Sequence, residues 1–138
     1  EINGNEWSNI RKTSNHYYSG KHSGIVGADM EYGLSYKTNK MAELTKGIRT
    51  LVFSSYFFKD KEQINNCEVV VSINEDGKSV YYKSYDLQKQ LKKINKWEKV
   101  DLMFQLPQIK NNDYEFAIYL WNRGKTNLGI DDFGFKLF

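Results

Sequence analysis

Gly129-Ile130-Asp131-Asp132-Phe133-Gly134-Phe135-Lys136-Leu137-Phe138 closes the chain, and its alternation decides how the rest is read. In a strand, successive side chains point to opposite faces. Phe133, Phe135 and Leu137 then share an apolar face that has to be buried. In an unbroken strand Asp131 falls on that same face. A carboxylate is not buried there without a partner, because an uncompensated charge is very costly. Either Asp131 is paired with a cation or with hydrogen-bond donors, or the strand begins just outside the core.

Working outward, the same period recurs. Residues 114–121 form a strand in which Phe116, Ile118 and Leu120 face inward and Tyr119 and Trp121 outward. Residues 97–106 alternate strictly, with Val100, Leu102, Phe104 and Leu106 in, and Pro107 ends that run. Residues 48–59 are apolar on both faces, with Leu51, Phe53 and Phe57 on one and Val52, Tyr56 and Phe58 on the other. That marks a central strand, or one whose outer face has a task. Residues 68–74 and 78–85 flank Glu75-Asp76-Gly77, the clearest hairpin signal, with Val69, Val71 and Ile73 inward. Two further strands are expected at 24–30 and 32–37, while 41–45 fits neither period. Residues 86–95 break the alternation. Leu87, Leu91 and Ile94 are at helical spacing behind Asp86 as N-cap, so a loop with one or two helical turns is expected. About eight short strands with almost no helix define an all-β fold, an antiparallel β-sandwich.

The totals agree. The chain has 138 residues, enough for a single β-sandwich domain spanning 1–138. Aromatic residues are 15% of the chain, led by 10 Tyr, a composition that favours strands. The net charge of +3 lacks the strong basic balance of a nucleic-acid binder. No apolar run is long enough to insert in a membrane. One cysteine, Cys67, excludes an internal disulfide and any multi-cysteine metal site; it reads as a small, half-buried residue. The chain begins at Glu1 without a signal-peptide pattern, and so reads as a domain excised from a larger protein.

The order of short motifs resembles the jelly-roll carbohydrate-binding modules with a galactose-binding-like fold. The residues that carry the likeness are Glu1 ahead of Trp7, Ser19-Gly20-Lys21-His22-Ser23, Phe53-Ser54-Ser55-Tyr56, Trp97 opening a strand, and the terminal Ile130-Asp131-Asp132-Phe133. They are scattered over nearly the whole chain and are specific to the fold more than to a ligand. The resemblance implies a module appended to a bacterial secreted, periplasmic or cell-surface protein, with a poly- or oligosaccharide and neighbouring domains of the same chain as partners. It also implies a structural calcium ion, held by Glu1, carbonyls near Lys21 and Ser23, and Asp131. Calcium accepts such a set of carboxylate and backbone oxygens. Glu1 stands at the very terminus, so Glu6 or Asn3 are alternatives. Without the ion, Asp131 would bond backbone amides of the N-terminal segment.

Sugar recognition calls for aromatic faces ringed by amides, carboxylates or Arg. Tyr119 and Trp121, the following Asn122 and Arg123, and outward Tyr56 and Phe58 are the candidates, taken together as an aromatic platform on one sheet. The alternative is that Tyr119 and Trp121 are covered by 86–95 or by the N-terminal segment. Tyr17 and Tyr18 are loop-tip alternatives. No catalytic constellation is present. His16 and His22 lack a partner nucleophile, and Asp131 and Asp132 are strand neighbours, with Asp132 toward solvent. The expected role is non-enzymatic glycan binding. The competing role is a structural or protein-interaction sandwich with no sugar ligand.

Overall fold

The computed structural model describes residues 2–3, 11–13, 23–27, 30–47, 49–111 and 113–138. Its elements are β1 (Ile2–Asn3), β2 (Arg11–Thr13), β3 (Ser23–Val26), β4 (Tyr32–Thr38), α1 (Met41–Thr45), β5 (Thr50–Lys59), β6 (Cys67–Glu75), β7 (Lys78–Asp86), α2 (Leu87–Gln90), β8 (Trp97–Gln105), β9 (Tyr114–Asn122) and β10 (Leu128–Leu137). Among the described residues they form two antiparallel sheets. One is six-stranded, in the order β2-β3-β10-β5-β8 with β1 also on β10. The other is four-stranded, β4-β9-β6-β7. This is the expected all-β sandwich.

The inward sets read from the sequence are buried. Leu51, Phe53 and Phe57 of β5 meet Val69, Val71 and Ile73 of β6 and Phe116, Ile118 and Leu120 of β9 in one core. Aromatic edges knit the sheets together: Phe135 lies 5.3 Å from Tyr36 and 6.0 Å from Phe116, between ring centroids. Rings of this size contribute most of a small sandwich's apolar burial. At one side Tyr85 of β7 turns its hydroxyl to the Met103 carbonyl of β8, 2.6 Å away, joining the two sheet edges.

The local signals hold where chemistry is local. Asp76 and Gly77 both take positive φ, 51° and 78°, as the tight β6–β7 turn requires. Asp86 caps α2, its carboxylate accepting from the Gln88 amide at 2.9 Å. The segment that fitted neither period, 41–45, is the short helix α1. Lys59 is unexpected. It is buried at the inner end of β5, and its ammonium donates to the Glu62 and Leu91 carbonyls at 2.9 and 3.1 Å.

The closing strand is broken. Asp131 opposes Tyr56 and Gly134 opposes Ser54, so three steps along β10 match two along β5. The extra residue is a β-bulge, with Asp132 held at φ 51°. A bulge reverses the alternation, so Ile130 and Phe135 are both in the core. Paired residues share a face. Phe135 lies with Phe53 inside, and Asp131 lies with Tyr56 on the outer face of the six-stranded sheet. The expectation that Asp131 shares the face of Phe135 is therefore corrected: it assumed an unbroken strand. Asp132 is exposed, as expected.

Candidate functional site

The pairings of the four-stranded sheet set its outer side chains in rows. Tyr32, Trp121, Glu68 and Asp86 form the first; Ser35, Tyr119, Val70 and Ser84 the second; Lys37, Ala117, Ser72 and Tyr82 the third. Glu115, Asn74 and Ser79 continue them. The middle of this grid is small. Ser35, Ala117 and Ser72 make a low floor beside Tyr32 and Tyr119, with Lys37, Asn74 and Glu115 at the far end. The result is a groove of about 690 Å³, within the range of sites that hold small ligands.

The tyrosines act as a group. Tyr32 and Tyr119 meet edge to face at 5.8 Å, and Tyr32 and Tyr82 are half exposed. Burial holds the Tyr119 phenol above its ordinary value, reinforced by the Tyr82 and Tyr32 hydroxyls and opposed by a hydrogen bond with Ser72. Tyr82 is raised as well, first by burial and then by the Glu68 carboxylate. At neutral pH these phenols are un-ionised, so each offers a donor, an acceptor and a ring face.

The candidates from the sequence divide. Tyr119 lines the groove. Trp121 neighbours it but is closed over: Tyr32 stacks on it at 6.1 Å and 9°, and the Arg123 guanidinium sits 4.4 Å from its ring centre. Arg123 is itself paired with Glu68 at 3.0 Å, and the buried indole Nε1 has no hydrogen-bond partner among the described residues. Asn122 is corrected to a turn residue. It is buried, its amide donates to the Gly27 and Thr126 carbonyls at 3.2 and 2.8 Å, and its oxygen accepts from the Thr126 amide. Among the described residues, none of 86–95 lines the groove beside Tyr119, and the groups on the Trp121 ring are Tyr32 and Arg123.

Tyr56 and Phe58 are also corrected. They belong to β5 in the six-stranded sheet and face away from Tyr119 and Trp121, so no single platform joins them. Phe58 packs on the Trp97 ring at 5.5 Å, over Gly129. A Cβ at Gly129 would come to 3.0 Å from Phe58 and 3.2 Å from the Trp97 ring, so a larger residue there would push this pair outward by a few tenths of an ångström.

Of the implied calcium ligands, Glu1 and Lys21 lie outside the described residues, and of Ser23 only the backbone is described. Asp131 is buried, and one of its oxygens accepts from the Asp132 amide at 2.8 Å. Gly24 of β3 opposes Ile130, and Asn3 of β1 opposes Gly134. Asp131 thus stands at the gap where β3 leaves β10 and the N-terminal strand joins it. The described part of the implied calcium set is thus the Asp131 carboxylate and the backbone beside Ser23.

Among the described residues no three His, Cys, Asp or Glu side chains gather to hold a metal. His16 and His22 lie outside the described residues. Cys67 is wholly buried, not half-buried, and burial, with Asp86 and Glu68 nearby, pushes its thiol up to about 12. Native protein at pH 8 is therefore expected to leave a thiol reagent unreacted, and unfolding to release one thiol per chain. Reaction in the native state would contradict the burial. Because the folded value is raised, this thiol supports the fold fully below the unfolded value of about 8.5. That support is lost as pH climbs toward 12.

Sequence reading missed Tyr32, Tyr82, Lys37 and the Ala117 floor. The hairpin alone pairs Ser72 with Tyr81; a register shift at Asn74 puts Tyr82 there instead. Nothing local announces that shift.

No protein-family model and no curated protein matches the chain. Solved structures do match in fold. The CBM22-1–CBM22-2 tandem domain of Paenibacillus barcinonensis Xyn10C superposes with a TM-score of 0.61 at 15% identity, over 99% of this chain and 42% of that one. This chain thus spans about two fifths of that tandem. The CBM22-1 xylan-binding domain of the same enzyme gives 0.57 at 15% identity, over 99% and 88%. Accessory secretory protein 1, 2 and 3 of Streptococcus pneumoniae gives 0.53 at 17% identity, over 94% and 85%. The fold is that of the jelly-roll carbohydrate-binding modules. At such identities the likeness is one of fold.

Proposed function

We propose that this domain is a non-catalytic carbohydrate-binding module of a larger secreted or cell-surface protein, and that it takes a glycan chain on the outer face of its four-stranded sheet. The observation that carries this is the groove itself: a low floor at Ser35, Ala117 and Ser72, with Tyr32 and Tyr119 offering rings and phenols beside it. Sugar rings stack on aromatic faces through C–H-rich surfaces, and their hydroxyls need both donors and acceptors, which Lys37, Asn74 and Glu115 supply. A xylan-type backbone is the first ligand to try, given the xylan-binding domain with the same fold. Among the described residues no helix is long and apolar enough to cross a membrane.

The test is affinity electrophoresis through gels of xylan, mixed-linkage β-glucan and mannan. Retardation by one of them, weakened about tenfold by Tyr119→Ala, is expected. An unretarded wild-type protein in every gel, with no binder on a glycan array, would overturn the reading. That result would favour the second reading, a protein-interaction or spacer domain. Its support is that Trp121 is already closed by Tyr32 and Arg123.

The same reading includes a structural calcium ion at Asp131 and the backbone beside Ser23. It would tie β3 and the N-terminal strand to β10. Removing it with EDTA is expected to lower the melting midpoint by about 5 °C or more. An unchanged midpoint would leave Asp131 bonded by protein groups alone.

A further inference from the structure

The two ends of the groove on the four-stranded sheet are built differently. The first row of side chains, Tyr32, Trp121 and Glu68, crosses three strands with tall groups. Ring contacts and an ion pair lock them together. Tyr32 lies parallel to the Trp121 ring at 6.1 Å and edge-on to Tyr119 at 5.8 Å. The Arg123 guanidinium covers the Trp121 ring at 4.4 Å and runs on to the Glu68 carboxylate at 3.0 Å. Stacked and charge-tied rings hold their rotamers, so this end is a preformed wall. Tyr82 of β7, half exposed, stands opposite Ser72 at the flank.

At the far end the lining is polar. From Tyr119 to Glu115 the strand β9 advances by about 13 Å, at 3.3 Å per residue, and Thr38, Asn39, Asn74 and Glu115 line the groove there. Asn39 and Glu115 are exposed, and among the lining residues at this end no aromatic ring is exposed.

A chain lying in a groove walled at one end does not continue past it, so a terminal sugar is what meets the wall. The wall has the chemistry for that terminus. Within a glycan chain each linking oxygen only accepts a hydrogen bond. At a chain end a hydroxyl takes its place, and it both donates and accepts. The phenols of Tyr32, Tyr119 and Tyr82 lie close enough to influence one another, and each supplies a donor and an acceptor.

We propose that the groove takes the end of a glycan chain, with the terminal ring against Tyr32 and Tyr119 and the chain leaving past Asn39 and Glu115. End recognition rests on the glycan reading for its ligand class and adds which part of the chain is bound. Such a module favours short or cleaved polysaccharide over the same mass of long intact chains, because only the number of ends matters to it.

The experiment is a calorimetric titration of the protein with xylohexaose and, separately, with a xylan fraction of known mean chain length, read as protein bound per chain. If the gels single out mannan or mixed-linkage β-glucan, that polymer and its hexasaccharide take the place of xylan. One protein per chain is expected for both lengths, with dissociation constants per chain within about threefold. Several proteins on each long chain would overturn end recognition and leave the glycan reading standing. No binding to any of the three polysaccharides or their hexasaccharides would overturn both. Tyr32→Ala with Arg123→Ala removes the wall and uncovers Trp121. It should weaken hexasaccharide binding about tenfold and raise the number bound per long chain above one. A folded double variant that keeps wild-type affinity and one protein per chain would overturn the role of the wall. Tyr32→Phe keeps the stacked ring and removes only the hydroxyl, so it tests the same end without opening the fold. It should keep one protein per chain and weaken affinity several-fold; unchanged affinity would overturn recognition of the terminus by that phenol.

Discussion

Ala117→Tyr is expected to raise the dissociation constant for the glycan by about 100-fold or more, roughly 2.8 kcal/mol, while the melting midpoint moves little. Ala117 sits in the third row of the four-stranded sheet, between Lys37 and Ser72, with its methyl toward the groove. A phenol built there rises into the space a sugar ring needs. The sheet itself has no reason to object. The position is on the outer face of β9, and tyrosine is a better strand former than alanine. Affinity electrophoresis reads the loss and a thermal melt reads the fold. Retained affinity with an intact fold would mean that the ligand, if any, lies elsewhere. A large drop in stability would mean that the floor is part of the core, against the half-buried state of Ala117.

The second large effect is on stability. Lys59→Met is expected to cost about 2–3 kcal/mol, lowering the midpoint by roughly 10 °C in a domain of this size. The Lys59 side chain is only 3% exposed, and among the described residues no carboxylate lies within ion-pair distance. Its charge is offset by two carbonyls, of Glu62 and Leu91, which belong to the loops on either side. Its own carbonyl accepts from the Asn95 amide at 2.8 Å. The side chain thus pins the loop after β5 and the loop after α2 to one strand end. Methionine keeps the volume but leaves both carbonyls without their donor in a dry site. Lys59→Ala should cost more, because it also opens a cavity. A Lys59→Met midpoint within a degree or two of wild type would show that water replaces the ammonium.

Much of this was legible beforehand. The inward sets of β5, β6, β8, β9 and the β6–β7 hairpin follow from a period of two and from turn chemistry, both local. So does the capped turn after Asp86. Tyr119 was placed outward by the same parity.

What escaped was decided between strands. Alternation assigns a side chain to one of two faces of its own strand, but it does not say which sheet that strand joins. Tyr56 and Tyr119 are both outward, yet β5 and β9 lie in different sheets, so the two point away from each other. Nor does a pattern of alternate residues show where one residue is skipped. The bulge at Asp132 moves Asp131 from the face of Phe135 to that of Tyr56, and the shift at Asn74 sets Tyr82 instead of Tyr81 opposite Ser72. The sequence by itself determined an all-β sandwich with its core residues and its hairpin, because those rest on contacts within one strand or turn. Tertiary pairing alone decided which aromatics meet, because register and sheet membership arise from hydrogen bonds between segments far apart in the chain.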